Sequence, residues 1–208
     1  PVVFELERAG ILETLDIFLR LEEEREKEVE PLAFEKSFNR EKIELDGERH
    51  FLLSGFIDRI DQAGRDLFEV VDYKTGSYHK YEGLKAFGGG RCLQPALYAV
   101  AAEQCLKKEG WSEAPRVLRS GYLFPTRRGE GRMVMISEFN RDQLRRLLAD
   151  LLEVINRGWF VPSPADPNKD CGYCDFAAVC GETAQAVKGK REQEPEIFEL
   201  LNRIRSYE

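Results

Sequence analysis

Two aspartates and a lysine are the residues whose types and spacing most clearly allow chemistry. In the segment 67–74, side chains alternate between the two faces of a predicted strand, so Asp72 and Lys74 project the same way. Antiparallel pairing with the preceding strand, about a turn at Gly64, places Asp58 roughly opposite Asp72. The sequence therefore predicts two carboxylates and one amine at a common position.

Such a group is suited to phosphodiester hydrolysis. A divalent cation held by carboxylates neutralises charge developing on the phosphate and lowers the pKa of an attacking water. Hard oxygen ligands suit Mg²⁺, which retains several waters and takes few protein carboxylates. Lys74 can orient or help deprotonate the water and stabilise negative charge. The alternative is a structural ion pair at a strand end, because Asp-x-Lys is a short pattern.

Three of the five cysteines fall close together, as Cys171-x₂-Cys174-x₅-Cys180. This spacing brings three soft thiolates within reach of one metal centre. A secreted disulfide framework usually has an even count spread through a smaller chain, so metal or cluster ligation is favoured. Zinc would need a fourth ligand such as His79. The other two cysteines are interpreted as core thiols: Cys92 and Cys105.

Composition limits the protein class. The 208 residues, 42% hydrophobic and 33% charged, can bury one sizeable core. A formal net charge of −7 argues against a surface that attracts nucleic acid everywhere, but it allows a local basic groove. We see neither an apolar run long enough to span a membrane nor an export signal, so a cytoplasmic location without membrane association is expected. Two groups of arginines are interpreted as solvated faces: Arg127, Arg128 and Arg132, and Arg141, Arg145 and Arg146.

The elements that position the candidate residues follow from hydrophobic periodicity. Predicted strands cover 33–38, 42–45, 50–60, 67–74, 117–124 and 133–138, with Asp46-Gly47 forming a tight hairpin. Predicted helices cover 4–29, 94–110, 140–158 and 195–206, and 162–167 is an irregular linker. This order predicts an α/β domain with a central mixed sheet flanked by helices.

Three motifs in order resemble those of the PD-(D/E)XK nucleases of the RecB type. They are GFIDRID at 55–61, VDYKTG at 71–76 and QPALY at 94–98. The group includes the nuclease domains of the RecBCD and AddAB helicase-nucleases and the CRISPR-associated Cas exonucleases. The resemblance implies a restriction-endonuclease-like core and DNA cleavage that depends on Mg²⁺ or Mn²⁺.

The resemblance also implies roles for individual residues. Asp58, Asp72 and the main-chain carbonyl of Tyr73 correspond to metal ligands, and Lys74 corresponds to the catalytic lysine. Two further residues correspond to positions that line the DNA and support the site: Gln94 and Tyr98. Their four-residue separation puts both on one helical face.

One family feature has no match in this chain. The family usually supplies another metal ligand, a His or Glu, from a helix before the strands, and nothing in 4–29 matches that motif. Glu35 and His50 are the nearest candidates, with ordinary structural or exposed roles favoured for both. We therefore expect the missing ligand upstream of Pro1, and weak metal binding and poor cleavage by this stretch of chain.

The cysteine spacing resembles the C-terminal part of the [4Fe-4S] site in AddB-type and CRISPR-associated nucleases. In those proteins a fourth cysteine lies far upstream, and this chain has none at a corresponding position. The resemblance implies a structural cluster held by Cys171, Cys174 and Cys180 in the full-length protein, degraded or empty here. It divides the chain into a nuclease core, 1–160, and a cysteine-cluster segment with a helix, 161–208.

The resulting functional expectation is the exonuclease domain of an AddB/RecB-like helicase-nuclease that acts in double-strand-break repair and recombination. Its expected partners are DNA and a helicase domain or subunit. Two alternatives stay open: a catalytically silent DNA-end-binding module, and a stand-alone CRISPR-associated exonuclease.

Overall fold

The computed structural model describes residues 2–25, 28–45, 49–137, 139–159, 171–172, 174–180 and 183–207. The predicted Asp46-Gly47 hairpin and the predicted linker 162–167 lie outside these residues. The candidate site residues lie within the described part of the chain.

A five-stranded mixed sheet forms the centre of the molecule, with the strands in sequence order across it. The first three strands pair antiparallel, β3 pairs parallel with β4, and β5 returns antiparallel. The predicted α/β class with a central mixed sheet is therefore confirmed. The strands are β1 (Glu30–Glu44), β2 (His50–Gln62), β3 (Leu67–Tyr73), β4 (Arg116–Phe124) and β5 (Arg132–Ile136).

The prediction of two short strands at 33–38 and 42–45 was wrong, because β1 runs through both. Its register against β2 shifts between Phe38 and Glu41, where Arg40 has a φ of 57°. Extra residues at such a bulge break the alternation of side chains, although the strand continues. The sequence pattern therefore predicted two separate strands where the structure has one.

Helices pack beside this sheet, and two of them have clear start signals. Pro95 lies in the first turn of the helix after β3, where its missing N–H removes no hydrogen bond. Asn140 caps the next helix by accepting hydrogen bonds from the backbone N–H groups of Asp142 and Gln143. The helices 177–180 and 183–193 were not predicted. The helices are α1 (Val2–Glu24), α2 (Gln94–Lys108), α3 (Arg141–Asn156), α4 (Ala177–Cys180), α5 (Thr183–Gln193) and α6 (Pro195–Arg205).

The core has two main parts. Alanines of α2 and the buried Cys105 pack against the sheet around Ile57 and Phe68, where small side chains let the helix lie close to the strands. Leucines of α3 pack with Leu200 and Ile204 of α6 in the second part. Both isolated cysteines are buried, which confirms their interpretation as core thiols.

None of the residues of helix α1 is buried, unlike several residues of α2, α3 and α6. The predicted helix 4–29 ends at Glu24, and leucines such as Leu12 and Leu19 stay about half exposed. Contacts are made near its C-terminal end, where Phe18 packs edge-on against Tyr73 with ring centroids 6.1 Å apart. Among the described residues, no helix combines the length and apolarity needed to cross a lipid bilayer.

Candidate active site

The pairing of β2 with β3 brings the two predicted carboxylates together. The register joins Arg59 to Val71, and its continuation places Asp58 across from Asp72. The backbone N–H of Tyr73 donates a 2.8 Å hydrogen bond to Oδ2 of Asp58. The turn after β2 is closed by a hydrogen bond that the backbone N–H of Ala63 donates. The predicted convergence of the acids therefore follows from this local hairpin.

Lys74 follows β3 directly and reaches the same group. Its backbone N–H donates to the carbonyl of Leu123 at 2.9 Å, which extends the β3–β4 ladder by one residue. Its ammonium contacts Oδ2 of Asp72 and donates to Oε1 of Gln94 at 3.2 Å. The structure thus places the lysine beside the carboxylate with which it was predicted to act.

Gln94 joins the group from the first turn of α2. Its Nε2 donates to Oδ1 of Asp72 at 2.6 Å, while its Oε1 accepts from Lys74. One carboxamide therefore holds the acid and the amine together. Tyr98, one turn further along, packs its ring edge-on against Phe38 at 5.9 Å. The structure brings Gln94 into the site and places Tyr98 at the edge of the core.

Electrostatics at Asp72 favour a cation. This side chain is only 6% exposed, and burial raises the pKa of its carboxyl above the usual value. The Lys74 ammonium opposes that shift in pKa, whereas the charge on Asp58 adds to it. A second positive charge between the two carboxylates would relieve both burial and repulsion.

The donor set fits a hard divalent ion. Asp58 makes no other hydrogen bond or ion pair within the described residues, so its second oxygen is available. No group of three His, Cys, Asp or Glu side chains able to hold a metal occurs in the part of the chain that is described. Two carboxylates suffice for Mg²⁺ when water and main-chain oxygen complete its coordination.

The two nearest candidates for a further ligand do not complete such a group. Glu35 lies on β1 between the partners of Arg59 and Ile57, so it neighbours Asp58 along the sheet, but its side chain is exposed. His50 begins β2, at the end of the strand far from Asp58. Neither residue joins the two aspartates in a three-ligand group.

A buried charge network on the other side of the site strands was not predicted. Arg59 is 1% exposed and donates to both carboxylate oxygens of Glu22, at 2.7 and 2.8 Å, and to Asp61 at 2.6 Å. It also donates to the hydroxyl of Tyr73 at 3.3 Å. Burial lowers the pKa of Arg59, but its bonds to these groups outweigh burial and raise it. The signal was present, since alternation along 58–61 puts Arg59 and Asp61 opposite Asp58.

The network continues across three strands. Arg25, just after α1, contacts Asp61 at 2.8 Å and Glu69 at 3.2 Å. Arg119 of β4 reaches Glu69 at 2.5 Å. These ion pairs fix the end of α1 against the strands that carry the site.

Two buried groups flank the lysine. The Lys74 ammonium lies 5.2 Å from the centre of the Tyr122 ring, and Cys92 Sγ lies 3.3 Å from the Tyr122 hydroxyl. Burial raises the pKa of both the phenol and the thiol, so each is neutral near pH 7. The lysine therefore has an aromatic face on one side and a carboxylate on the other.

The cysteine motif has local contacts but no metal geometry. The backbone N–H of Cys174 donates to the carbonyl of Cys171 at 3.2 Å, and Cys180 ends the short helix α4. All three are free thiols. Within the described residues they form no group able to hold a metal, either with one another or with His79. The structure therefore gives the iron–sulfur and zinc interpretations no support.

The fold and the carboxylate-lysine group together define the class of this protein as a nuclease core of the restriction-endonuclease-like kind. A family model described as the PD-(D/E)XK nuclease superfamily matches residues 5–181, and the chain belongs to this superfamily. No curated protein gives a significant match. The match covers the sheet, the site and the cysteine motif.

Proposed function

We propose that this protein hydrolyses DNA phosphodiesters with Mg²⁺ or Mn²⁺ as its cofactor. The observation that carries the proposal is the hydrogen-bonded group of Asp58, Asp72, Lys74 and Gln94. A structural Asp-Lys pair needs no second carboxylate across the sheet and no carboxamide bridging acid and amine. Superfamily membership supports the same conclusion.

Each residue has a role that its position supports. Asp58 and Asp72 hold the cation, together with the main-chain carbonyl of Tyr73. When bound, the cation supplies charge neutralisation at the phosphate and a water of lowered pKa. Lys74 orients that water and stabilises negative charge on the phosphate oxygens. Gln94 keeps the Asp72 carboxylate and the Lys74 ammonium in place.

We further propose the RecB type of activity, an exonuclease acting within a helicase-nuclease on broken DNA. The ordered motifs of 55–61, 71–76 and 94–98 support it, and the contact of Gln94 with both Asp72 and Lys74 gives the third motif a physical role. Under this proposal Tyr98 supports the DNA-lining face of α2, and a helicase domain or subunit supplies the end to be degraded.

A catalytically silent DNA-end-binding module is the second candidate. One observation favours it: within the described residues the two aspartates have no third ligand. The preserved Lys74 favours the enzyme, since binding alone does not require an amine beside two buried acids. Calorimetric titration with Mn²⁺ separates the two, because a silent module would not need to bind the ion at Asp58 and Asp72.

The division of the chain at residue 160 and the cluster held by Cys171, Cys174 and Cys180 stay predictions. The packing of α6 on α3 returns the C-terminal end to the core. Iron and sulfide analysis of protein purified without oxygen tests the cluster. Stoichiometric iron would support it, and its absence would leave these cysteines as ordinary thiols.

Digestion of end-labelled linear single-stranded DNA tests the main proposal. We expect cleavage with Mg²⁺ or Mn²⁺ and none in chelator. Asp72→Ala and Lys74→Ala should each lower the rate by about 100-fold or more, the scale at which removal of one transition-state contact acts. Arg128→Ala is a matched control on an exposed loop. Activity in both site variants equal to that of the unmodified protein would exclude the proposed centre.

A further inference from the structure

A basic groove lies on the segment that joins Lys74 to Gln94, the two residues that meet in the site. The groove has a volume of about 490 Å³. Among the residues that the structure describes, its wall contains two lysines and two arginines but one acidic residue: Lys80, Lys85, Arg91, Arg205 and Glu82. A local excess of positive charge in a chain with a net charge of −7 points to an anionic ligand.

The groove is adjacent to the candidate active site. Lys80 Nζ lies 4.7 Å from the centre of the Tyr81 ring, and that ring lies 4.5 Å from Tyr122. The Lys74 ammonium also lies near Tyr122, 5.2 Å from its ring centre. A pair of tilted aromatic rings therefore connects the groove lysine with the site lysine.

Close backbone packing fixes the shape of the groove. Gly89 has a φ of 64° and donates its N–H to the carbonyl of Tyr207 at 2.8 Å. A Cβ at Gly89 would lie 3.1 Å from the carbonyl oxygen of Arg205, and one at Gly90 would lie 2.8 Å from Ile204. Glycine at both positions lets the end of α6 approach, which sets Arg205 in the wall opposite Lys80 and Lys85.

We propose that this groove binds the phosphodiester backbone of the DNA strand next to the phosphate that is cleaved. The inference rests on the proposed function, since a hydrolase acting on a long polyanion needs contacts outside its reacting centre. Lysines and arginines that neutralise phosphates release counterions, which makes such binding sensitive to salt. The Tyr81 and Tyr122 rings connect this groove to Lys74, so a strand segment bound there would lie beside the site.

Charge reversal of the two exposed lysines tests the proposal. Binding of a fluorescein-labelled single-stranded oligonucleotide is measured by anisotropy in chelator, so that no cleavage occurs, over a series of salt concentrations. We expect the Lys80→Glu/Lys85→Glu variant to bind at least about tenfold more weakly, with a salt slope shallower by about 1 to 2. The Lys80→Arg/Lys85→Arg variant should bind like the unmodified protein.

A control variant and a cleavage assay make the outcomes distinguishable. Lys107→Glu reverses an exposed charge on α2, outside the groove wall, and should change binding less than about twofold by long-range charge alone. If Lys107→Glu weakens binding as much as the groove variant, or if the groove variant binds normally, the groove inference is overturned even where cleavage is intact. Binding that depends on the groove without any metal-dependent cleavage would instead contradict the proposed function. Circular dichroism confirms that each variant is folded.

Discussion

The two sides of the β2–β3 hairpin carry charged groups of opposite character. On one side, Asp58 lies across from Asp72, and the Lys74 ammonium contacts Asp72. On the other, Arg59 is 1% exposed and surrounded by Glu22 and Asp61. In the described part of the chain, adjacent positions on one strand thus contribute to a site with one cation for two carboxylates and to an anchor in which arginines and carboxylates are equal in number.

The two groups differ in how far opposite charges compensate the burial of their own charges. In the anchor, each buried charge lies within hydrogen-bond distance of an opposite charge, so loss of one partner would leave a buried charge uncompensated. In the site, burial raises the pKa of Asp72 and one lysine compensates only in part. We therefore expect the anchor to contribute to stability and the site to take up an additional cation from solution. The following predictions test this contrast.

Removal of the anchor cation should have the largest effect on stability. Arg59→Leu leaves Glu22 and Asp61 facing an uncharged side chain, and unpaired buried charge costs about 3–5 kcal/mol. We expect that loss in the free energy of unfolding measured in urea. Arg128→Leu, on an exposed loop, should stay within about 0.5 kcal/mol of the unmodified protein. A loss below about 1 kcal/mol for Arg59→Leu would contradict a structural role.

Neutralising the site acid should separate activity from stability. Because the pKa of Asp72 is raised in the folded state, its ionised form is less favourable there than in the unfolded chain, and its charge opposes folding near neutral pH. Asp72→Asn should therefore lower cleavage by about 100-fold or more while the free energy of unfolding stays equal or rises. Thermal and urea unfolding provide the second measurement. Strong destabilisation would place Asp72 with the anchor.

The carboxamide that links acid and amine should have a smaller effect. Gln94→Ala removes the hydrogen bonds to Asp72 and Lys74 but no metal ligand, and loss of such a supporting partner typically lowers metal affinity or activity about 10- to 100-fold. Steady-state cleavage over a range of Mn²⁺ concentrations measures it. Gln104→Ala is the matched control, since it removes a glutamine hydrogen bond of the same helix, to the Lys42 carbonyl, outside the site. An equal loss in both variants would point to a general effect on α2.

Local rules were enough to predict much of the site from the sequence. Alternation along 67–74 and one tight turn place Asp58, Asp72 and Lys74 together, because antiparallel pairing leaves little freedom in a hairpin. Pro95 marks the start of α2 and so the approach of Gln94. These residues are close in sequence or follow a clear start signal.

The anchor could not be predicted in the same way. The partners of Arg59 and Asp61 come from α1 and its end, Glu22 and Arg25, far away along the chain. The contacts of α1 within the described residues include the packing of Phe18 on Tyr73 and the ion pairs of Glu22 and Arg25 at its C-terminal end. Which distant charges meet is decided by tertiary packing, and short-range patterns carry no information about it.

The ion pair between Arg203 of α6 and Asp150 of α3 should have the smallest effect, and it compares the buried anchor with a pair whose arginine is exposed. Arg203 donates to both oxygens of Asp150 at 2.8 and 2.7 Å, yet its own side chain is 60% exposed. Water screens such a pair, so Asp150→Asn should cost at most about 1 kcal/mol in urea unfolding. The apolar contacts of Leu200 and Ile204 with α3 would then hold the helix. Leu200→Ala should cost about 2–5 kcal/mol by comparison. If Asp150→Asn costs more than Leu200→Ala, ionic contacts rather than apolar burial hold the C-terminal end on the core.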